Sequence, residues 1–507
     1  LLYKAVPALG LHLPLPQGAA LLALLAAIGY AALAGFGLPT VRSVLMIAAA
    51  LLAVLLRRVS SAWQAYALAL LVLLLSDPLA VLGAGFWLSF AGVAWLLWCL
   101  PSQAAAVPGW RQLVSAQLVA SLGLLPLTVF FFGQASLAGA VANLIAVPWV
   151  SLAVVPLSLV AAGLYLLGLG ALAHVPLWLG ARCMDGLWWL LEAVAAWPRA
   201  QIFLPEPSLL MLLLALAGLL WLLLPRGVPG RALGLCLLAP LLWPRQAPPD
   251  PGALRVQVMD VGQGLAVLVQ THAHALLFDS GPAFGSGLDM GEAAVVPSLR
   301  ALGVQRLDRI VVSHGDADHA GGARSVLAAF PAPLSSSDLG QFARAEPCVA
   351  GRRWQWDGVE FELLHPPPHF PYQRNESSCV LRVESAHGSL LLSGDIGHLI
   401  EARLLRERAA QLKADIVLVP HHGSAGSSSQ EFVAATGARH AVFAAGHDNR
   451  FGHPRAEVVA RWRDTGAQLW NTARHGALRF ELGAAGIEAT SWRQAEPRLW
   501  RAPVERD

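Results

Sequence analysis

The chain has 507 residues, 56% of them hydrophobic and only 13% charged, with a formal net charge of +3. Soluble domains are about a quarter charged, so a wholly soluble globule is excluded, as are a disordered chain, a collagen and a coiled coil. The average conceals a divide near residues 248–252. Before it lie 10 of the 35 basic and 5 of the 32 acidic side chains, so the first part is net positive and the remainder slightly negative. Histidine divides more sharply: only His12 and His174 of the 16 precede the divide.

A membrane-spanning helix needs about 20 apolar residues, with roughly 17 as a practical minimum. Apolar runs at 19–36, 41–56, 62–75, 79–100, 112–132, 137–169, 173–195, 208–224 and 232–243 predict a multi-span α-helical membrane domain over 1–247. Several runs are short, which leaves about seven to nine crossings. Within 137–169, Asn143, Pro148 and Pro156 predict a broken or kinked helix, whose freed backbone groups need neighbouring helices or a water-filled cavity. Over 173–195, His174, Arg182, Asp185 and Glu192 recur at near-helical spacing. Such a stripe faces a bundle interior, or else Arg182 pairs with Asp185 three residues on while Glu192 reaches the interface. Arg42, Asn143, Arg182, Asp185 and Glu192 are the candidate channel residues. The positive-inside tendency puts Arg57-Arg58, Arg111, Arg226 and Arg231 on the cytoplasmic side, so the segment after 243 emerges outside.

Cys99, Cys183 and Cys236 lie in apolar runs and read as small buried hydrophobes. Cys348 and Cys379 are available for one disulfide, and no CxxC pair points to a structural zinc site. The chain starts at Leu1 without a charged leader, so no signal peptide is read and a fragment of a longer protein is expected.

After a linker at 248–252, residues 253–490 form a second domain, with a tail at 491–507. Residues 253–269 read as two strands joined by the turn Asp260-Val-Gly-Gln-Gly264, and 275–278 as a third strand ending in Asp279. The run 307–312 leads into Ser313-His314-Gly-Asp316-Ala-Asp318-His319, 389–392 into Gly394-Asp395, and 415–420 into His421-His422-Gly423-Ser424. Helical stretches at 399–412 and 456–465 separate them. Each time an apolar strand ends, glycine permits a turn, and His or Asp stands at the strand's carboxyl end: an α/β layering with ligands gathered at one sheet edge. Four ligand-type side chains in six residues suit two cations, His314 and Asp316 on one, Asp318 and His319 on the other, bridged by Asp395. Two metals about 4 Å apart activate a water and neutralise charge on a group under attack. The alternative is a polar surface loop that caps the helix beginning near Ala320. Arg352-Arg353 with Trp354 and Trp356 suits either single-strand stacking or an ordinary hairpin edge.

This constellation resembles the metallo-β-lactamase superfamily, whose hallmark is an HxHxDH loop. With Asp316 in place of the second histidine, and with the 260–264 turn and Pro420-His-His-Gly-Ser424, it is similar to the ComEC family of DNA-internalisation proteins. Gly35-Phe-Gly-Leu-Pro39, Gly85-Phe-Trp-Leu-Ser-Phe90 and the 142–148 segment resemble that family's membrane motifs. The resemblance covers roughly 15–500 and implies an αββα domain behind the membrane domain, while the family's amino-terminal OB-like part is missing. It implies a channel of the bacterial inner membrane that passes one DNA strand during natural transformation, with an extracytoplasmic metal-dependent nuclease degrading the other. Its partners would be DNA, the lipid bilayer, a DNA receptor, a separate ATP-driven motor and other competence proteins, or further copies of itself. No Walker-type motif is present in the chain. Carried over residue by residue, His314, Asp316, Asp318, His319 and Asp395 are metal ligands, with His453 a further candidate. Asp318, His319, His421 and His422 are the catalytic group, and Asp279, Asn375 and Ser378 orient ligands from behind. Arg450 and Ser424 are the substrate contacts. The scarcity of nitrogen ligands leaves the metal as Mn²⁺ or Zn²⁺. The competing functions are a membrane-anchored hydrolase of a small ester, lipid or lactam, and a channel whose second domain only binds DNA.

Overall fold

The computed structural model describes residues 14–55, 61–99, 109–197, 200–224, 228–243 and 247–497. It divides into two compact units, 1–244 and 245–507. Arg57, Arg58 and Arg226, on which the topology expectation leans, and the end of the tail lie outside the described residues.

The first unit is helical, and each apolar run of the sequence coincides with a helix. Among the described residues, Trp110–Phe132 and Ala138–Leu166 are the two helices long and apolar enough to cross a membrane by length and composition, at 23 and 29 residues. Of the other helices there, Leu15–Leu33, Leu38–Leu55 and Gly170–Ala195 have 19, 18 and 26 residues and the rest are shorter, so the expected multi-span architecture rests on two helices that meet both criteria. The run 137–169 does not break. Leu137–Trp149 passes through a π-helical turn, Val150–Val154, into Val155–Leu166. The wider turn accommodates the N–H groups that Pro148 and Pro156 lack. The polar stripe is satisfied on its own helix: Arg182 pairs with Asp185 at 3.1 Å, and Trp188 Nε1 donates to Glu192 at 2.7 Å. Arg42 lies over Gly85, where a Cβ would come within 2.9 Å of its guanidinium, and Asn143 is exposed.

The second unit contains two sheets face to face. The strands are β1 (Leu254–Val258), β2 (Val267–Gln270), β3 (Ala275–Phe278), β4 (Arg309–Val312), β5 (Leu334–Ser336), β6 (Glu346–Pro347), β7 (Arg353–Trp356) and β8 (Val359–His365). They continue as β9 (Val380–Ser385), β10 (Gly388–Leu392), β11 (Ile416–Leu418), β12 (His440–Phe443), β13 (Gln468–Asn471), β14 (Leu478–Gly483) and β15 (Gly486–Ser491). One sheet runs β15-β14-β1-β2-β3-β4-β5-β6, the other β13-β12-β11-β10-β9-β8-β7. Alternation in β1 and β14 turns Leu254, Val256, Val258, Phe480 and Leu482 inward against Phe361, Leu381, Leu390 and Leu418 of the facing sheet. Strands β3, β10 and β11 are apolar on both faces, because helices cover their outer sides. Val296, Leu299 and Val326 close over Leu277 and Ile310. Ile400, Leu404, Phe432 and Trp462 close over Leu391 and Val417. The result is a helix–sheet–sheet–helix stack.

In β7, Trp354 and Trp356 turn towards the core, Trp354 stacking on Phe361 at 5.2 Å and Trp356 on His274 at 5.1 Å. Arg352 pairs with Glu346 and Arg353 with Glu362. The segment is therefore a hairpin edge rather than a stacking platform for nucleic acid.

Candidate metal centre

Four chain reversals at strand carboxyl ends build the site: 279–281 after β3, 313–319 after β4, 393–395 after β10 and 419–423 after β11. His421 and His422 both hold positive φ, 51° and 54°, a conformation that costs a non-glycine residue about 1–3 kcal/mol. The turn thereby aims both imidazoles back across the sheet edge. The loop sits tightly on its neighbours: a Cβ at Gly322 would lie 2.2 Å from the Ser280 carbonyl, and one at Gly264 2.4 Å from the Asp318 carbonyl. Leu265 N–H donates to that same Asp318 carbonyl at 3.1 Å, which ties the 260–264 turn to the metal loop.

Asp318, His319, Asp395 and His422 bring one ligand atom each within 4.8 Å of one another. His319 Nε2 stands 3.0 Å from Asp395 Oδ1, and His422 Nε2 stands 3.3 Å from Asp318 Oδ2 and 3.5 Å from Asp395 Oδ2. Each imidazole is oriented from behind. Asp279, fully buried, receives His319 Nδ1 at 2.7 Å, and the Ala444 carbonyl receives His422 Nδ1 at 2.7 Å. With both Nδ1 hydrogens committed, the two Nε2 lone pairs face each other at 3.1 Å beside two carboxylates. Lone pairs so placed repel unless a positive charge lies between them. Burial alone would lower the His319 imidazole, but Asp395 and Asp279 outweigh it and raise it well above its ordinary value. Asp395, despite its burial, is held well below the usual carboxylate range by His319 and His422. A divalent cation answers the same need, and the donor set, two nitrogens and two carboxylates, fits one.

The second expected cation finds no assembled donor set among the described residues. His314 is fully buried, its Nδ1 beside Ser313 and Ser378 hydroxyls at 3.0 and 3.3 Å, and its Nε2 has no partner. Burial, reinforced by His319, lowers this imidazole to about 4. Asp316 Oδ2 is 3.9 Å from that nitrogen, because Arg374 grips the carboxylate through Nε and Nη2 at 2.9–3.1 Å. His453 is also outside the four-donor group: its ring centroid is 5.9 Å from that of His421. His421 Nε2 lies 3.9 Å from Asp395 Oδ2 and takes a hydrogen bond from Asn375 Nδ2 at 3.2 Å. Ser378 Oγ accepts from Asp395 N–H at 3.0 Å. Ser424 Oγ accepts from Gly426 N–H within its own turn, and Arg450 lies over the Phe451 ring at 4.7 Å. Sequence reasoning missed Arg374 and Tyr372, whose hydroxyl accepts Gly315 N–H at 2.9 Å. Their only signal is proximity to Asn375, since no spacing rule links Arg374 to Asp316, 58 residues earlier.

Residues 1–229 match the Competence protein family and residues 259–447 the Metallo-beta-lactamase superfamily. The chain is 37% identical to "Competence protein ComA" of Neisseria gonorrhoeae, over 94% of this chain and 67% of that protein. It is 31% identical to "Uncharacterized protein YcaI" of Escherichia coli (strain K12), over 93% of this chain and 63% of that one. It thus spans about two thirds of the length of these relatives. Among solved structures, Tm1679, a metal-dependent hydrolase of the beta-lactamase superfamily, is 18% identical over 43% of this chain and 95% of its own, with a TM-score of 0.29. The chain belongs to the ComA/ComEC family of competence proteins, a helical competence region followed by a metallo-β-lactamase-superfamily region.

Proposed function

We propose that this protein serves DNA uptake at the bacterial plasma membrane, its helical unit conducting one strand through several crossings and its second unit hydrolysing phosphodiester bonds of the other. The observation that carries the enzymatic part is the pair of Nε2 atoms converging between Asp318 and Asp395. Asp318, His319, Asp395 and His422 would hold the cation, with His314 Nε2 and Asp316 beside them for a second. Bound there, Mn²⁺ or Zn²⁺ supplies Lewis acidity towards a phosphoryl oxygen and an activated water. The chain's own part is orientation. Asp279 and the Ala444 carbonyl fix the two imidazole tautomers, and Ser378 fixes Asp395 through its backbone N–H. Asn375 and His421 stand at the edge, placed to donate to a phosphate oxygen. The full chain, stripped with EDTA and resupplied with Mn²⁺ or Zn²⁺, should cut linear DNA, and Asp318→Ala with His319→Ala should not. Absence of cutting with either metal would refute the nuclease reading.

Arg374→Ala should release Asp316 and strengthen the second equivalent of cation about two- to fivefold, the worth of an exposed ion pair. Calorimetric titration of Mn²⁺ into wild type and variant reads this directly. A second reading, in which the helices only anchor the hydrolase, is favoured by the local pairing of Arg182, Asp185 and Glu192. Re-anchoring residues 245–507 through an unrelated helix separates the two, since retained DNA uptake would leave the helical unit no conducting role.

An extracytoplasmic second unit is supported by the Cys348–Cys379 disulfide, both sulfurs buried, since such bonds persist in oxidising compartments. In denatured extracts of intact cells, these two thiols are expected to resist maleimide until a reductant is added. Labelling of both without reductant would place the unit in the cytoplasm.

A further inference from the structure

Residues 372–378, between β8 and β9, tie three of the four reversals of the metal centre together. The Tyr372 hydroxyl accepts Gly315 N–H at 2.9 Å, Asn375 Nδ2 donates to His421 at 3.2 Å, and Ser378 Oγ accepts Asp395 N–H at 3.0 Å. Arg374 stands in the middle of this strap with a φ of 53°, a region that residues with a side chain seldom occupy. Its side chain is nonetheless 75% exposed. The guanidinium engages Asp316 from the side, through Nε and Nη2 at 2.9–3.1 Å, and no described hydrogen bond uses Nη1. A guanidinium carries five N–H donors in a fixed fork. One edge is therefore locked on Asp316, while the edge formed by Nη1 and the second Nη2 hydrogen is left for a bidentate acceptor.

Asp316 is given over to this arginine. It is the N-cap residue of Ala317–Ala320, where a carboxylate ordinarily accepts an amide of the first turn, yet its side chain makes no such bond. Its Oδ2 is 3.9 Å from the unpartnered His314 Nε2, and the His314 and His319 rings are 4.4 Å apart between centroids. The guanidinium thus stands one side chain away from the four-donor group. Charge at the centre calls for a cation there. Asp279, Asp316, Asp318 and Asp395 exceed the charge of one divalent cation, and the excess repels a phosphodiester. Among the described ion pairs, Arg374 is the arginine that engages the 313–319 loop.

We propose that Arg374 is the phosphate contact of this centre. Asp316, a metal ligand by spacing, instead braces the guanidinium so that its free edge takes the two non-bridging oxygens of a phosphodiester. Arg374 then supplies the positive charge that a second cation would otherwise bring, and the two are alternatives at Asp316. The inference rests on the phosphodiesterase reading for the identity of the anion, but not for its test.

Calorimetric titration of thymidine monophosphate into the full chain loaded with one equivalent of Mn²⁺ tests it, since that ligand has no diester to cut. Arg374→Ala should weaken the nucleotide about tenfold, the worth of a charge-assisted hydrogen bond, while the first equivalent of Mn²⁺ binds as in wild type. Arg374→Lys keeps the charge and loses the fork, so it should fall between the two. Arg306, 70% exposed and paired with Asp308 ahead of β4, is a comparable arginine at the other end of that strand, and Arg306→Ala should change nothing. Thymidine, which lacks the phosphate, should be insensitive to Arg374→Ala. Unchanged nucleotide affinity in Arg374→Ala, or an equal loss in Arg306→Ala, overturns the proposal, whatever the nuclease assay gives. Nucleotide affinity that depends on Arg374, in a chain that cuts no DNA with any metal, sustains the phosphate contact and removes the phosphodiesterase reading alone.

Discussion

Asp395→Ala will leave the chain unable to retain a divalent cation through dialysis at micromolar metal, whereas the wild type will retain one equivalent. Asp395 comes within 3.5 Å of both imidazoles, through Oδ1 to His319 and Oδ2 to His422, whereas Asp318 Oδ2 is 3.3 Å from His422 but 4.0 Å from His319. The Asp395 backbone N–H is held by Ser378 Oγ at 3.0 Å. Asp318 is the other acid of the group, and Asp316 is engaged by Arg374. Losing a direct ligand should cost more than the roughly 10–100-fold in affinity that follows loss of an outer partner. Elemental analysis of dialysed wild type and variant decides the matter. One equivalent retained by Asp395→Ala would mean that the cation sits elsewhere.

Asp279→Asn, by contrast, should keep the cation but weaken it about 10–100-fold. The carboxylate now serves three donors: Ser313 N–H at 2.6 Å, the Ser313 hydroxyl at 2.8 Å and His319 Nδ1 at 2.7 Å. An amide has one acceptor oxygen and brings its own N–H group, so one donor must turn away or face another donor at full burial. If the imidazole turns, Nε2 leaves its aim at Asp395. If Ser313 turns, the 313–319 loop shifts instead. Competition for Mn²⁺ against a fluorescent chelator reads the change. Affinity unaltered in Asp279→Asn would show that the imidazole is held by packing alone.

The second unit was legible in the sequence because its signals are local. Strand β3 at 275–278 and the helix at 456–464 follow directly from apolar runs and turn residues, and the His/Asp clusters mark where strands end. The partition of those clusters was not legible. Asp316 reads as a ligand by spacing, yet its carboxylate is taken by Arg374, a pairing across 58 residues that no periodicity announces. His453 is a histidine in a glycine turn like the others, but its ring stacks on Phe451 at 5.8 Å and stays outside the four-donor group. Trp354 and Trp356 illustrate the same limit: strand alternation marks one face, and the facing sheet decides whether that face meets water. In the first unit, hydropathy located the helices and missed their ends by a few residues either way: Leu15–Leu33, Gly109–Phe132 and Gly170–Ala195 start before the apolar run, while Ala84–Cys99 and Leu209–Leu222 are shorter than theirs.

X-ray absorption at the metal edge of the loaded full chain tests the centre most directly. Two imidazole nitrogens with carboxylate and water oxygens are expected around the cation, falling to one imidazole in His422→Ala. A coordination sphere of oxygens alone, unchanged by that substitution, would contradict the assignment of the centre to Asp318, His319, Asp395 and His422.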